Sequence, residues 1–97
     1  MSDDPVPFRV GQAFDVHASS DDPDRRLVLG GVTFADVKGL VGHSDADVVA
    51  HVCADAILGA CGLGDIGQMF PDTDPGLAGA NSIELLRQAA AAVNAEG

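Results

Sequence analysis

Asp15, His17 and His51 are the residues whose types and spacing point most directly to chemistry. Asp15 and His17 are two apart in a run that alternates with Phe14 and Val16. A strand sends alternate side chains to opposite faces, so Asp15 and His17 would project together. His51 falls in the second turn of an expected helix. If that helix packs over the strand, one carboxylate and two imidazoles converge. Three N and O ligands with an open fourth position match a catalytic zinc site. The open position lets a substrate oxygen bind and be polarised. The chain has only three histidines, and an Asp-x-His pair is common by chance. Spacing alone therefore leaves ordinary surface residues as the other reading.

Neighbouring residues extend the pattern. Asp47, His51 and Asp55 recur at four-residue intervals and share one helix face. Such a face is either a solvated charged surface or a source of carboxylates that orient a metal-bound imidazole. His43 and Ser44 stand at the helix entrance, where unpaired N–H groups and the positive dipole end suit a phosphate. His43 would add a donor there. Beyond the helix come Gly64-Asp65-Ile66-Gly67 and Phe70-Pro71-Asp72-Thr73-Asp74-Pro75. Carboxylates at 65, 72 and 74 could hold a hard cation, and the N–H groups could hold substrate hydroxyls or phosphate oxygens. An Asp-Pro turn with local side-chain to backbone bonds fits the same residues.

The elements that must position these groups follow from pattern and punctuation. Residues 1–7 read as a disordered leader, and Phe8 to Ala18 as a strand. Ser19 to Arg26 is a polar turn. Leu27–Leu29 and Val32–Phe34 flank Gly30-Gly31, which predicts a tight hairpin or a bulge. A helix capped by Ser44 or Asp45 should run to about Cys61, with Ala50, Cys53, Ala54, Ile57, Leu58 and Cys61 as its apolar stripe and Gly62 and Gly64 as stops. Residues 65–80 read as an irregular loop. A second helix should start at Asn81, with Glu84 in the reciprocal capping position. Its buried face would be Leu85, Leu86, Ala89, Ala90 and Val93, and Gly97 would suit a C-terminal cap. The expected class is α/β in the α+β sense: one domain over 1–97, with a small mixed sheet packed against helices. Two or three strands cover two helices poorly. The domain is therefore expected to be incomplete at its C-terminus, with partner strands beyond Gly97 or in other chains.

Composition sets outer bounds. The chain has 97 residues, 46% hydrophobic and 21% charged, which is a globular composition. Its net charge of −10 argues against nucleic acid and anionic membranes as partners. An anionic substrate would then need metal ions between itself and the protein. No run approaches the roughly 18 apolar residues of a membrane span, and the acidic, Pro-broken N-terminus is unlike a signal peptide, so a cytoplasmic location is expected. Cys53 and Cys61 are separated by about 12 Å of helix rise, too far for a disulfide, and read as buried reduced thiols.

Taken together, FDVH at 14–17, GLVGHSDADVVAH at 39–51, GDIGQMFPDTDP at 64–75 and the NSIELL opening of the second helix resemble the 2-C-methyl-D-erythritol 2,4-cyclodiphosphate synthase family over residues 8–97. The resemblance implies an α/β homotrimer with sites between subunits. It implies a cyclising, CMP-releasing phosphorus-oxygen lyase of non-mevalonate isoprenoid synthesis, acting on 4-diphosphocytidyl-2-C-methyl-D-erythritol 2-phosphate. By the same resemblance, Asp15, His17 and His51 are zinc ligands and His43 stabilises the transition state. Asp15, Val16, His17, His43, Ser44, Asp65, Ile66, Gly67, Phe70, Pro71, Asp72, Thr73 and Asp74 contact substrate. A second divalent ion, Mg²⁺ or Mn²⁺, is implied. Its Glu ligand, in a Thr-Thr-Glu region, and the cytidine pocket fall in the family's C-terminal half, beyond Gly97. Residues 1–97 alone are thus expected to release no CMP. Two alternatives are an inactive, truncated zinc-binding fragment and a zinc hydrolase using Asp47 or Asp55 as base.

Overall fold

A computed structural model describes residues 8–42, 45–70 and 81–95. Two strands come first, β1 (Leu27–Leu29) and β2 (Val32–Phe34). They pair antiparallel in the register Leu27↔Phe34, Val28↔Thr33 and Leu29↔Val32. Gly30 and Gly31 make the turn with φ of 60° and 81°. Positive φ at both central residues is the geometry of a two-residue type I′ turn, which glycine adopts without penalty. The hairpin expected from the Gly-Gly pair is therefore present. Among the described residues the sheet is this antiparallel pair alone, where a mixed sheet was expected.

Helix α1 spans Val48–Ala60. Its cap is Asp47, displacing the expected Ser44 or Asp45. Ala46 has a φ of 54°, which helical backbone cannot accommodate, so the helix cannot start earlier. At the other end the Leu63 N–H donates to the Leu58 carbonyl at 2.9 Å and the Gly62 N–H to the Gly59 carbonyl at 3.2 Å. Gly62 has a φ of 67°. This is a Schellman termination, with Leu63 folded back onto the Leu58 cluster. Within residues 65–80, read as irregular loop, Ile66–Met69 form a one-turn helix, α2. Its signal, Asp65 as a capping residue, is as short as the element itself.

Helix α3 spans Ser82–Ala95. Asn81 caps it, its side-chain oxygen accepting from the Ile83 N–H at 2.9 Å. Glu84 does not complete a capping box; its carboxylate takes the Arg87 guanidinium instead, through Nε and Nη2 at 3.1 Å each. Helices α1 and α3 pack through Ala54, Leu58 and Ala89, with Ile57, Leu63, Ile66, Leu86 and Val93 around them. Alanines at 50, 54 and 89 are fully buried, and their small side chains let the two backbones approach closely. This seam is narrower than the predicted stripe. Ala50, Ala54 and Leu58 recur every four residues, while Cys53 lies about 100° around the helix from Ala54. Cys53 is accordingly exposed and Cys61 half-buried, a correction to the reading of both as buried thiols.

Phe8 to Ala18, read as a strand, forms no ladder among the described residues. Its end is joined to the chain by an isolated antiparallel bridge between Ser19 and Leu40. There the Ser20 N–H reaches the Gly39 carbonyl and the Val41 N–H reaches the Ala18 carbonyl, both at 2.8 Å. Phe8, Val10, Phe14 and Val16 remain exposed. The alternation that suggested a strand is real, but a strand also needs a neighbour for its N–H and C=O groups, and alternation cannot supply one.

Candidate metal centre

The bridge at 18–20 and 39–41 carries the segment bearing Asp15 and His17, and α1 carries His51. These two elements bring the three side chains together. One ligand-type atom from each of Asp15, His17 and His51 lies within 4.8 Å of the others. Asp15 Oδ2 is the hub, 3.1 Å from His17 Nε2 and 3.6 Å from His51 Nδ1. The two imidazole rings are 5.8 Å apart and tilted by 55°. The side chains are mostly buried, 14% exposed for each histidine and 23% for Asp15. Among the described residues no second cluster of three such groups gathers.

The remaining polar atoms of Asp15, His17 and His51 are held from behind. Asp15 Oδ1 accepts from the Val16 N–H at 3.0 Å. His17 Nδ1 lies 2.7 Å from the Val41 carbonyl. A carbonyl can only accept, so Nδ1 donates to it, while Nε2 lies 3.1 Å from Asp15 Oδ2. The strip that supplies this carbonyl is itself tied down. Arg25 donates from Nε to the Leu40 carbonyl at 2.8 Å and from Nη2 to the Gly42 carbonyl at 2.9 Å. At Gly42 any Cβ would collide with the His17 ring, so the close approach requires glycine. On the helix side, His51 Nε2 is 2.7 Å from Ser82 Oγ. Ser82 Oγ donates in turn to Asp45 Oδ1. With its proton committed to a carboxylate, the hydroxyl accepts from His51 Nε2–H, and His51 Nδ1 is left with its lone pair toward Asp15. One carboxylate oxygen and one nitrogen of each imidazole therefore face a common point. This donor set fits a zinc-type divalent cation with an open position.

The other carboxylates of α1 do different work. Asp47 is fully buried. Its Oδ1 accepts from the Gly30 N–H at 2.8 Å and the Ala50 N–H at 3.0 Å, and its Oδ2 from the Gly31 N–H at 2.7 Å. It caps α1 and pins the hairpin turn in one stroke. Asp55 accepts from the Ile66 N–H at 2.6 Å, hanging α2 one turn, about 6 Å of rise, beyond His51. Asp47 is therefore not part of a solvated charged face, and the carboxylates of both residues are engaged by backbone N–H groups.

Of the expected substrate contacts, Asp15, Val16 and His17 stand at the cluster. Asp65 caps α2 through the Gln68 N–H at 2.8 Å, Ile66 and Gly67 open that helix, and Phe70 closes it. The Ile66 N–H is already engaged by Asp55. His43, Ser44, Pro71, Asp72, Thr73 and Asp74 lie outside the described residues. Sequence reasoning missed Asp45 and Ser82, Arg25, and the Val41 carbonyl. A part-buried Asp–Ser contact spanning 37 residues has no local signature, and a backbone carbonyl has no residue-type signature at all.

The chain is similar to known proteins over most of its length. The model of the YgbB family matches residues 8–97. The chain belongs to the YgbB family. One relative within reach of this family is the 2-C-methyl-D-erythritol 2,4-cyclodiphosphate synthase of Azoarcus sp. (strain BH72). It is 62% identical over 91 residues, which cover 94% of this chain and 55% of the relative. A solved 2C-methyl-D-erythritol-2,4-cyclodiphosphate synthase superposes with a TM-score of 0.82 at 43% identity, over 92% of this chain and 58% of that one. A CDP-bound form of such a synthase gives 0.81 at 43% identity, with the same coverage. The chain thus spans about half the length of the curated YgbB-family relatives it matches. No described helix is long and apolar enough to cross a membrane.

Proposed function

We propose that this chain forms the metal- and phosphate-binding part of a 2-C-methyl-D-erythritol 2,4-cyclodiphosphate synthase. In the reaction, an oxygen of the substrate's 2-phosphate bonds to the β-phosphorus of its own diphosphate. The bond from that phosphorus to the bridging oxygen breaks, and CMP departs with the electron pair. The products are the cyclic diphosphate and CMP. The observation that carries this reading is the convergence of Asp15, His17 and His51 in a chain 62% identical to a synthase of that name.

The task set by this chemistry is alignment, because nucleophile and leaving group belong to one molecule. Asp15, His17 and His51 would hold zinc. When bound, the ion supplies positive charge and Lewis acidity at a phosphate oxygen, which a chain of net charge −10 otherwise lacks for a polyanion. His43 and Ser44 would donate to the phosphates at the entrance to α1, His43 to charge developing in the transition state. Asp65-Ile66-Gly67 and Phe70 to Asp74 would hold the methylerythritol phosphate. A second ion, Mg²⁺ or Mn²⁺, a cytidine pocket and a homotrimeric assembly in the cytoplasm complete the reading. The zinc-hydrolase alternative is disfavoured by Asp47 and Asp55, since both candidate bases are committed to backbone N–H groups.

The test is product analysis. Full-length protein carrying this segment, supplied with zinc and magnesium, should convert the diphosphocytidyl substrate to CMP and the cyclic diphosphate in equal amounts. Inorganic phosphate as the product, or no CMP, would refute the reading.

A further inference from the structure

Behind His51 lies a pair of residues that the proposed reaction does not use. Ser82 is fully buried at the first turn of α3. Its hydroxyl sits 2.7 Å from His51 Nε2 and donates to Asp45 Oδ1. Its backbone N–H donates to Asp45 Oδ2 at 3.0 Å. Asp45 Oδ1 also accepts from the Asp47 N–H at 3.1 Å. The carboxylate thus grips both the hydroxyl and the amide of one residue. The Ser82 hydroxyl is left a single orientation, with its lone pairs toward the imidazole.

We propose that Asp45 and Ser82 are positioning residues for the metal centre: they fix the tautomer and ring angle of His51, so that α3 helps to build the site without supplying a ligand. This rests on the reading of Asp15, His17 and His51 as metal ligands. The physical argument has two parts. A ligating imidazole binds through one nitrogen only if the other is held as N–H, and a polarised acceptor there raises the basicity of the ligating nitrogen. A serine alone would serve poorly, because a free hydroxyl can rotate and donate to Nε2. Asp45 removes that freedom by taking the hydroxyl proton. His17 is held by a different device, the rigid Val41 carbonyl. The two histidines therefore draw on opposite parts of the fold, one on the 39–42 strip and the other on the α1–α3 seam. Removing Ser82 should disturb His51 and leave His17 in place.

The experiment measures metal affinity and ligand geometry in the full-length protein. Zinc dissociation constants come from competition with a chromophoric chelator, and geometry from the visible absorption of the cobalt(II)-substituted protein. Ser82→Ala should weaken zinc binding by about 10- to 100-fold and alter the cobalt bands. Ser82→Thr, which keeps the hydroxyl, should recover most of the affinity. Asp45→Asn should weaken binding in the same direction, and it serves as the second variant if Ser82→Ala does not fold. A merely structural role would lower the stability of the metal-free protein and leave both the zinc Kd and the cobalt spectrum unchanged. That outcome would overturn the inference. Failure of the unsubstituted protein to hold zinc would bring down the metal reading and this inference with it. Tight zinc in the unsubstituted protein, matched within twofold by Ser82→Ala with unchanged bands, would bring down this inference alone.

Discussion

Asp47 joins the hairpin to the helix that carries His51, and its contacts set the cost of removing it. Asp47→Ala deletes the cap of α1, worth about 1 kcal/mol. It also strands the Gly30 and Gly31 N–H groups, now paired at 2.8 and 2.7 Å. An unsatisfied buried donor costs about 1–3 kcal/mol. Both glycines are exposed on their outer side, so water can partly replace the carboxylate and the lower end applies. The expected loss is about 2–4 kcal/mol. Asp47→Asn should lose less, about 1–2 kcal/mol, because one carbonyl oxygen remains while the amide NH₂ opposes the Gly31 N–H. Urea denaturation of metal-stripped full-length protein, followed by circular dichroism, measures both without ligand stabilisation masking the effect. An alanine variant within about 0.5 kcal/mol of the unsubstituted protein would refute the reasoning. It would mean that the hairpin and the helix start are held by something else.

Further outcomes are expected. His43→Ala in full-length protein should keep its zinc and lose turnover on the order of 10²-fold, as for removal of one transition-state donor; unchanged turnover by CMP release would place His43 outside the chemistry. Gly42→Ala should push the His17 ring off the Val41 carbonyl and weaken zinc binding by about tenfold or more, read by chelator competition. The Arg87 guanidinium, hydrogen-bonded to Glu84, holds that carboxyl below its ordinary pKa. A depressed carboxyl contributes stability above its unfolded pKa and loses it as pH falls through the folded one. Both groups are exposed, so stability should change little at acid pH. In Arg87→Ala the Glu84 carboxyl, followed by NMR titration, should rise toward the ordinary range.

The site was legible where chemistry depends on residue type, and opaque where it depends on geometry. Asp-x-His on an alternating segment and a histidine in the helix's second turn pointed to three side chains that the structure brings together. Gly30-Gly31 announced the hairpin because a type I′ turn demands positive φ twice. The apolar stripe expected on α1 contained the α1–α3 seam but was wider than it, taking in the exposed Cys53. The cap of α1 was misplaced because Ser44, Asp45 and Asp47 are all good caps by type. The choice falls to the positive φ of Ala46, which its residue type does not announce, and to the engagement of Asp45 by Ser82 across 37 residues. Asp47 and Asp55 looked like a charged surface because helix periodicity places them on one face with His51. The hairpin turn comes from elsewhere in the chain to bury Asp47, and the Ile66 N–H of α2 engages Asp55. The segment from Phe8 to Ala18 shows the reverse limit: its alternation is plain, but its pairing depends on another strand.

The most direct measurement is anomalous diffraction at the zinc absorption edge from crystals of the full-length protein. The expected result is one peak per chain, bound by an Asp15 carboxylate oxygen, His17 Nε2 and His51 Nδ1 at about 2.0–2.2 Å, with His51 Nε2 still on Ser82. No anomalous peak among these three side chains, or a metal seated elsewhere while they remain paired to one another, would contradict it.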